Sequence, residues 1–561
     1  MRVILKSSQR MAVLPVLLLF LLSFHHQLQV LAQATQSYQD FRYMKFVHNA
    51  TNLPQEEEYD YIVIGGGTAG CPLAATLSEK YSVLVLERGG APNSTPNVLS
   101  ASGFLTNLME ADDGKTAPAQ KFTSEDGVKL VRGRVLGGTS MINAGFFSRA
   151  QEEFFSKSGV EWEREEVEKA YEWVEESIVS HSNLTLWNSA FKEALLEAGV
   201  GPDNGFSLDH VLGTKQSGST FDNLGRRHGA VELLNKGEAK NLKVAVYATV
   251  QRILFSSKAS TSNPSAIGVI YTDSKGKSHR ALIRNKGEVI LSAGALGSPQ
   301  LLLLSGIGPS SYLSSLKIPL IQHQKNVGQF MADNPRNNIF LITPFPFDPS
   351  PAQVVGITTD YIIESSVGDL PFSSTSEPFS LFPSLSSSSI NLSLASIVMK
   401  PPGPLSHGDL RLASSSNVKT SPRVRFNYFQ DPVDLARCVR GMRKTGEMLE
   451  TKSMDRFKYT DLQGQKGFLL LGSSLPSNYK TDDSSMEEFC RSTVTTFWHY
   501  HGGCLVGKVV DGDFRVMGIN KLRVLDGSTF TISPGTNPQA TLMMLGRYVG
   551  LKMLQERKES K

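Results

Sequence analysis

Cysteine, net charge and long apolar stretches are all scarce in this chain. Four cysteines stand among 561 residues, and none has the CxxC spacing of a structural zinc site, so the sequence predicts no metal centre. The formal net charge is +4, which does not favour nucleic acid as a partner. Apart from one short run near the N-terminus, no stretch is apolar enough to suggest a membrane segment, so we expect no membrane span.

The first 32 residues have the pattern of a secretory signal peptide. Arg2, Lys6 and Arg10 form a basic start, residues 11–24 form a short apolar core, and a small-residue cleavage site ends at Ala32. A membrane anchor is the alternative that this segment leaves open. We therefore expect a secreted protein, located outside the cell, in the cell wall, or in the vacuole or another endomembrane compartment.

For a secreted protein, two further features of the sequence predict covalent modifications. Four N-x-S/T sequons predict sites for N-glycans, at Asn49, Asn93, Asn183 and Asn391. An oxidising compartment also permits disulfide bonds, and four cysteines allow three full pairings. Their spacing alone does not choose among these pairings.

Residues 59–87 have the pattern of a nucleotide-binding βαβ unit, in which two apolar strands flank a glycine-rich turn and a helix. Gly65, Gly67 and Gly70 fit G-x-G-x-x-G, whose glycines permit a tight turn, approach to a pyrophosphate and close helix packing. Glu87 ends the second strand, where an acid can bind ribose hydroxyls and argues against a 2′-phosphate. The pattern predicts a dinucleotide and leaves NAD and FAD open, with a purely structural glycine-rich turn as the alternative.

The rest of the chain shows no internal repeat. Helices are predicted over about 160–200 and at the end of 533–554, and a serine-rich segment, 366–393, predicts a long irregular loop or lid. Predicted strands are 241–255 and 287–308, which we expect to return to the first sheet, and then 408–415 and 423–429.

Several separated motifs carry a resemblance to a known family. GGGTAG is followed by GRVLGGTSMINAGFFSR (133–149), GALGSPQLLLLSGIG (294–308), WHYHGGC and GTNPQAT. In this order they resemble the glucose–methanol–choline (GMC) oxidoreductases over nearly the whole mature chain. Within the family the chain is most similar to plant (R)-mandelonitrile lyase-like proteins, with a second similarity to HOTHEAD-type proteins.

The resemblance implies FAD rather than NAD as cofactor. It implies an α/β and α+β fold, with a discontinuous Rossmann-type FAD-binding domain and an inserted substrate domain built on a mixed or antiparallel sheet. The expected FAD-binding domain is 57–160, 225–330 and 495–561, and the expected substrate-binding domain is 161–224 and 331–494.

The same resemblance implies a set of cofactor-binding residues. The glycines would hold the pyrophosphate and Glu87 the adenosine ribose; Arg134 to Asn143 would follow the flavin, and Val250 would touch the adenine side. Ordinary packing is the alternative for Asn143 and Val250. The full set is Gly65, Gly67, Thr68, Gly70, Glu87, Arg88, Arg134, Gly137, Gly138, Thr139, Ser140, Asn143, Val250, Trp498, His499, Asp526, Gly527, Pro538 and Gln539.

Two residues are implied as catalytic. The family carries a histidine in an H-x-x-G pattern, here His499, facing the flavin. Oxidising an alcohol carbon requires its hydroxyl proton to leave, and imidazole is a suitable base near neutral pH. Asn537 is the implied partner, since an amide can orient a hydroxyl or alkoxide but cannot act as a base. For His501 we expect packing or a hydrogen bond to the backbone rather than a metal ligand.

The predicted substrate pocket departs from that of the almond-type lyases. Those carry a second histidine where this chain has Asn537, a tyrosine where it has Phe497, and a cysteine where it offers Glu364 or a neighbour. Phe497 and Glu364 are therefore the expected substrate residues. The lyases also imply a disulfide between Cys438 and Cys490, which leaves Cys71 and Cys504 as buried, inert thiols.

The sequence thus favours a secreted, monomeric FAD protein that oxidises the CH–OH group of a small or lipid alcohol. The alternative is a hydroxynitrile lyase that cleaves a cyanohydrin with redox-silent FAD. A glycoprotein that keeps FAD only as a structural element is the third hypothesis. The sequence does not choose the substrate or the electron acceptor.

Overall fold

The computed structural model describes residues 40–114, 116–256, 263–347, 350, 352–372 and 390–559, with the backbone alone at 369–372 and 390–392. The chain forms two compact units, Met1–Met44 and Lys45–Lys561. Residues 40–44 are the described part of the first unit, and everything below concerns the second. The predicted signal peptide, residues 1–32, lies outside the described residues.

Eight strands of the described chain form a first, mixed sheet. Tyr61–Ile64 is paired in parallel with Val83–Leu86 on one side and with the end of Ser278–Leu291 on the other. These central strands are buried on both faces, which is why they are continuous apolar runs. The spatial order is Val47–Asn49, Leu242–Val246, Val83–Leu86, Glu56–Ile64, Ser278–Leu291, Ala266–Thr272 and Thr249–Phe255, and Leu522–Val524 also pairs with Ser278–Leu291.

Helices cover this sheet and the second one. The α-helices of the described chain are Gly70–Ser78, Gly103–Met109, Glu152–Lys157, Arg164–Ile178, Leu186–Glu197, Gly294–Leu304, Ser310–Ser315, Pro432–Leu449, Asp483–Ser492 and Gln539–Glu559. Short 3-10 helices of the second unit include Pro92–Ser94, Pro96–Leu99, Gly138–Met141, Ala230–Lys236, Lys452–Phe457 and Gly527–Thr529.

The helix of the predicted nucleotide unit is buried along its whole length. All nine residues of Gly70–Ser78 are buried, because the long C-terminal helix packs against it. Gly546 and Gly550 of that C-terminal helix make the close approach possible: a Cβ at Gly546 would lie 2.3 Å from the Ala69 carbonyl oxygen. The C-terminal helix is therefore packed against the helix of the first βαβ unit.

A second sheet of eight strands is antiparallel except for one parallel pair at its edge. Its spatial order is Leu469–Leu470, Pro335–Ile342, Ile390–Lys400, Ile362–Phe372, Val354–Ile357, Gly213–Gln216 and Asp203–Phe206, and Thr495–Thr496 also pairs with Pro335–Ile342. Smaller ladders are Ala119–Thr123 with Lys129–Gly133, Phe146–Phe147 with Gly218–Ser219, Ile307–Gly308 with Gln322–His323, Tyr459–Thr460 with Lys466–Gly467, and Gln329–Met331 and Arg423–Arg425 with Gly408–Arg411.

The side-chain period of two gives the second sheet two different faces. Along Pro335–Ile342, Ile339 and Leu341 enter an apolar core shared with the helices Leu186–Glu197 and Pro432–Leu449, whereas Arg336 and Phe340 face a cavity. Along Ile390–Lys400 the odd positions from 395 to 399 enter the same core and the even positions from 394 to 398 line the cavity. One face of this sheet therefore stabilises the fold and the other builds a binding pocket.

The predicted fold class is confirmed, with a Rossmann-type mixed sheet beside a largely antiparallel one. The predicted strands over 241–255 and at the start of 287–308 do return to the first sheet. Within 287–308, however, Gly294–Leu304 is a helix and not a strand. Its leucine run is apolar on all sides, and such a run does not distinguish a buried helix from a buried strand.

The serine-rich segment is the second correction. The predicted irregular loop, 366–393, contains the ends of two paired strands, with register from Ile362 opposite Lys400 to Phe372 opposite Ile390. Residues 373–389 lie outside the described residues. The serines hid the alternating apolar positions, and the hydrogen-bonding partner of each strand becomes evident only when the hairpin forms.

The predicted disulfide is confirmed between Cys438 and Cys490. It joins the helices Pro432–Leu449 and Asp483–Ser492 within the core of the second sheet. The other two cysteines are free and buried. Burial raises the pKa of both thiols, Cys71 and Cys504, which suits the inert role predicted for them.

Candidate active site

Two cavities adjoin each other between the sheets, and most of the predicted site residues line one or both. The first cavity follows the carboxyl ends of the first sheet's central strands, where open α/β sheets bind ligands. The predicted residues that line it are Gly65, Gly67, Thr68, Glu87, Arg88, Arg134, Gly138, Thr139, Val250, Trp498, Asp526, Gly527 and Pro538.

The three motif glycines occupy three different environments. Gly65 has φ +100°, and a Cβ there would lie 2.4 Å from the Ser292 carbonyl oxygen. A Cβ on Gly67 would find no atom nearer than 3.8 Å, so its backbone is open to a ligand. Gly70 does not line either cavity; a Cβ there would lie 2.1 Å from the Gly65 carbonyl oxygen. The third glycine therefore serves close packing of helix on turn.

Glu87 is buried at the wall of the first cavity. One carboxylate oxygen accepts the Gly66 N–H at 3.1 Å and the other accepts the Gly89 N–H at 2.8 Å. Burial raises the pKa of Glu87, and these N–H groups and the adjacent Arg88 oppose that rise. Each oxygen keeps a free lone pair, so the carboxylate can still accept from the two hydroxyls of a ribose.

Three other predicted residues hold loops together. Asp526 accepts the Gly294 N–H at 2.9 Å and the Ser528 N–H at 2.8 Å, so it anchors two chain segments at the cavity edge. Ser140 and Gly137 line neither cavity. The Ser140 hydroxyl donates to the Gly137 carbonyl at 2.7 Å, and so shapes the turn that carries Gly138 and Thr139.

The second cavity lies between that turn and the face of the second sheet that is turned away from the apolar core. Most of its wall is apolar and aromatic, including Phe104, Phe146, Phe221 and Phe340. The predicted residues that line it are Thr68, Thr139, Asn143, Glu364, Phe497, Trp498, His499, Asn537, Pro538 and Gln539. Thr68, Thr139, Trp498 and Pro538 line both cavities, so a cofactor in the first would meet a substrate in the second there.

Asn143 and Gln539 are locked together on the wall of the second cavity. The Asn143 amide donates to Gln539 Oε1 at 2.8 Å, and the Gln539 amide donates to the Phe146 carbonyl at 2.6 Å. Behind them, the fully buried Arg227 donates to Asn143 Oδ1 at 2.9 Å and to its carbonyl at 2.6 Å. The orientation of both amides is therefore fixed before any ligand binds.

His499 follows a strained residue. Trp498 has φ +60°, the left-handed region that a bulky side chain rarely occupies. The Trp498 N–H donates to the Thr496 hydroxyl at 2.7 Å, which in turn donates to Asp333 at 2.6 Å. Asp333 also accepts the His499 N–H at 2.9 Å. This network holds the bend that brings Trp498 and His499 to the cavities.

Asp333 is itself buried, with the Tyr428 hydroxyl as a further donor at 2.6 Å. Burial raises the pKa of Asp333 to about 6, and its three donors limit that rise. The carboxylate therefore carries a charge at neutral pH that the donors stabilise.

Lys400 lies directly behind the His499 ring. Its ammonium nitrogen is 3.3 Å from His499 Nδ1, 3.0 Å from the Gly535 carbonyl oxygen and 2.8 Å from the Thr536 carbonyl oxygen. Lys400 is fully buried and lines neither cavity. Burial, and then the nearby Lys400, lowers the pKa of His499 well below its usual value, so the imidazole is neutral at pH 7.

Two acceptor oxygens on the second cavity's wall have no hydrogen-bond partner among the described groups. They are Glu364 Oε1 and Asn537 Oδ1. Burial raises the pKa of Glu364, and Lys400 and Asn537 oppose that rise. A buried acceptor without a donor is costly, so this wall suits a ligand that brings a hydroxyl.

His501 has the role predicted for it. Its Nδ1 donates to the His499 carbonyl at 3.0 Å, and its own backbone pairs with Ala332. It lines neither cavity. Gly502 follows because a Cβ at that position would lie 1.9 Å from the Phe330 carbonyl oxygen.

Sequence reasoning missed several residues around His499. Lys400, Asp333 and Thr496 belong to no motif; Lys400 and Asp333 are 99 and 166 residues away from His499 along the chain, and Thr496 is close to it in sequence. Arg336 was also missed; its guanidinium lies 4.4 Å from the centre of the Trp498 ring. The one available signal was a charged residue at the end of an apolar strand, as in SIVMK, which ends at Lys400.

Two other sets of predictions concern the surface and ions. Asn93 and Asn183 are exposed, Asn49 is half-buried and caps a turn by accepting the Thr51 N–H, and Asn391 lies in a strand where the backbone alone is described. Glycosylation of all four stays a prediction. Among the described residues, no group of histidine, cysteine and acidic side chains could hold a metal ion, and no helix could cross a membrane.

The chain is similar to known proteins over nearly its whole length. Two family models, both described as GMC oxidoreductase, match residues 59–335 and 404–546. The chain is 55% identical over 556 residues to (R)-mandelonitrile lyase 1 of Prunus serotina, covering 99% of this chain and 97% of that protein. It is 52% identical over 544 residues to Sinalpyl alcohol oxidase Nec3 of Nesocodon mauritianus, covering 96% of each.

The fold is also found among solved structures. A formate oxidase of Aspergillus oryzae matches with a TM-score of 0.72 and 19% identity, covering 90% of this chain and 100% of that one. At this identity the likeness concerns the fold alone.

The residues of the first cavity fit FAD, the cofactor expected from the sequence. Gly67 leaves room for a close pyrophosphate, and Glu87 has lone pairs for a ribose. Two buried donors on this wall, Arg132 Nη2 and Trp498 Nε1, have no acceptor among the described groups. FAD offers what they lack, since its pyrophosphate is anionic and its ring system carries acceptor atoms.

Proposed function

The chain belongs to the GMC oxidoreductase family, with FAD as its cofactor, and we propose that it oxidises the CH–OH group of an alcohol with an apolar body. The observation that carries this proposal is one neutral histidine and one amide, His499 and Asn537, on the wall of an apolar cavity that adjoins the cofactor cavity. FAD, when bound, supplies the acceptor for the hydride that leaves the alcohol carbon.

The walls of the second cavity support an apolar alcohol. The phenylalanines and aliphatic residues of these walls would cover the body of the substrate. Of their polar side chains, His499 directly follows Trp498, which lines both cavities. A hydroxyl at that place could donate to one of the free acceptors, Glu364 Oε1 or Asn537 Oδ1. The alcohol carbon would then lie next to the boundary with the first cavity.

His499 is the proposed base. Its ring is neutral, and since Lys400 occupies Nδ1, Nε2 is the nitrogen left for a molecule in the cavity. In the tautomer with a free Nε2, it can take the hydroxyl proton while Asn537 orients the oxygen. The Asp333 and Thr496 network holds the histidine in place for this step.

Hydroxynitrile cleavage is the second candidate. It is favoured by the buried cations Lys400 and Arg336 near His499, since positive charge would stabilise a departing cyanide anion. The (R)-mandelonitrile lyase relatives point the same way. Against it stand Asn537, Phe497 and Glu364, which replace the histidine, tyrosine and cysteine expected of the almond-type pocket.

We also propose that the mature protein is secreted and monomeric. The N-terminal pattern of residues 1–32, the exposed sequons Asn93 and Asn183, and the disulfide support passage through an oxidising secretory pathway. We propose that the FAD-binding domain comprises 57–160, 225–330 and 495–561, and that the substrate-binding domain comprises 161–224 and 331–494.

The test is anaerobic reduction of the bound flavin. The mature holoenzyme is mixed with benzylic, aliphatic and ω-hydroxy fatty alcohols while the flavin absorbance band is followed. We expect one class to bleach the flavin, and His499→Gln to slow bleaching by about 10²- to 10⁴-fold through loss of the base. His501→Gln is the matched control, because that buried histidine bonds only to backbone, and it should bleach normally.

If no alcohol bleaches a protein that retains its FAD, alcohol oxidation is excluded and the lyase becomes the better hypothesis. Release of aldehyde and cyanide from mandelonitrile, lost in His499→Gln, would then establish cleavage.

A further inference from the structure

Lys400 and His499 make a closed set of hydrogen bonds in either of two protonation states. A charged Lys400 has three N–H groups, which match the carbonyls of Gly535 and Thr536 and the Nδ1 of His499. The proton of His499 is then on Nε2. A neutral Lys400 has two N–H groups for the carbonyls and a lone pair that accepts from Nδ1–H, and Nε2 is then free.

We propose that Lys400 is a positioning residue that decides which ring nitrogen of His499 carries the proton. With Lys400 charged, His499 presents an Nε2–H donor to the second cavity. With Lys400 neutral, it presents a basic nitrogen. The geometry therefore makes the competence of His499 as a base depend on a side chain that touches neither substrate nor cofactor.

The arrangement also gives the substrate proton a destination, and this consequence rests on the proposed alcohol oxidation. The O–H bond of the alcohol breaks as an Nε2–H bond forms on His499. The Nδ1–H bond then breaks as an Nζ–H bond forms on Lys400. The relay moves one proton and no electrons, and it ends in the state with a charged lysine and an Nε2–H histidine.

The titratable groups that face Lys400 are Glu364, Asp333 and two histidines besides His499, and Glu364 also faces Lys215, whose pKa burial lowers to about 7. Burial lowers the pKa of Lys400 to about 8, and the charges of Glu364 and Asp333 oppose that lowering. Burial lowers the pKa of His210 and of His501 to about 4, and the charge of Lys400 contributes to the lowering of both. Arg336, near Glu364 and Asp333, stays charged. Lys400 is therefore charged below its pKa and neutral above it.

The primary test follows the His499 tautomer by ¹⁵N NMR of histidine-labelled holoenzyme from pH 6.5 to 9.5, with His499→Gln assigning the signals. We expect His499 to change from the Nε2–H to the Nδ1–H form as Lys400 loses its proton. Lys400→Arg keeps the charge and the donors but cannot lose a proton in this range, so it should hold the Nε2–H form throughout. Lys400→Met should show no pH-dependent change.

Lys215→Met is the matched control. Lys215 is also buried and also donates to carbonyls, those of Ser207 and Asp209, but it does not contact His499. Its variant should switch as the wild type does. A wild-type tautomer that stays constant over the whole range, or a switch that persists in Lys400→Arg, overturns the proposal and in the second case makes Glu364 the titrating group.

A kinetic measurement separates this inference from the proposed function. If an alcohol bleaches the flavin, the wild-type rate should rise with pH through the Lys400 transition, whereas Lys400→Arg should be slower by about 10²-fold or more at every pH. Bleaching that is equally fast in Lys400→Arg overturns the proposal. A tautomer switch in a protein that no alcohol bleaches keeps the Lys400–His499 coupling and removes alcohol oxidation alone.

Discussion

Replacing Thr496 with valine should lower the stability of the folded protein and shift His499 from its position. The Thr496 hydroxyl accepts the N–H of Trp498 and donates to Asp333, so it links a strained residue to a buried carboxylate. Valine has nearly the same shape without the hydroxyl. The substitution therefore removes two hydrogen bonds with little change in packing.

The expected loss can be worked from those two bonds. A buried N–H without an acceptor costs about 1–3 kcal/mol, and a hydrogen bond to a charged group contributes about 1.5–3 kcal/mol. Thr496→Val should thus lower the free energy of unfolding by about 2.5–6 kcal/mol, from the sum of these ranges. Thr445→Val is the matched control: that buried hydroxyl donates to the Gly441 carbonyl within its helix, and its loss leaves no group unpaired.

The loss should also depend on pH. Asp333 has a pKa raised to about 6 by burial, and the Thr496 hydroxyl is one of the donors that lower it, so valine should raise it further. A carboxyl whose pKa is raised on folding takes up a proton as the chain folds, so its contribution to stability falls as pH rises through the folded pKa. The deficit of Thr496→Val should therefore be larger at pH 8 than at pH 5.

Urea unfolding of both holoenzyme variants at pH 5 and pH 8, with FAD fixed in excess, measures these differences. We also expect Thr496→Val to slow flavin reduction by the alcohol substrate, because His499 loses its anchored position, while Thr445→Val keeps the wild-type rate. Equal stability of the two variants at pH 8 would refute the reasoning, since it would mean that the Thr496 hydroxyl does not support the bend at Trp498.

Two further predictions concern the cofactor and the core. Gly65→Ala should abolish retention of FAD, because the added Cβ would lie 2.4 Å from a carbonyl oxygen. Gly199→Ala is the control, since that glycine has φ +82° and open space around it, and this variant should keep the yellow colour of bound FAD. Equal FAD content in the two purified variants would contradict the prediction. Replacing Cys438 and Cys490 by serine should cost about 4 kcal/mol, the chain-entropy value for a loop of this length, given their separation of 52 residues. Thermal melting with and without reductant measures the loss, and a melting temperature of the wild type that reductant leaves unchanged would argue against it.

Predictions from local sequence pattern succeeded for some elements of the fold and failed for others. The nucleotide unit was predictable because its elements are contiguous: two apolar strands, three glycines and an acid within thirty residues leave few ways to fold. The serine-rich hairpin was not, because its strands are defined by pairing with each other, and the helix Gly294–Leu304 was missed because its leucine run has no amphipathic period.

The sequence by itself determined the nucleotide unit, the family, the cofactor and His499 as the residue to examine. The nucleotide unit follows from a short-range pattern that the chain can satisfy in few ways, and the family, FAD and His499 follow from the resemblance that the separated motifs carry. The tertiary structure alone decided what surrounds His499. Asp333, Glu364 and Lys400 lie 99 to 166 residues away from it along the chain, and only the packing of the second sheet and its neighbouring segments brings them together. Their pKa values follow from burial, and burial is a property of the packed fold and not of any stretch of sequence.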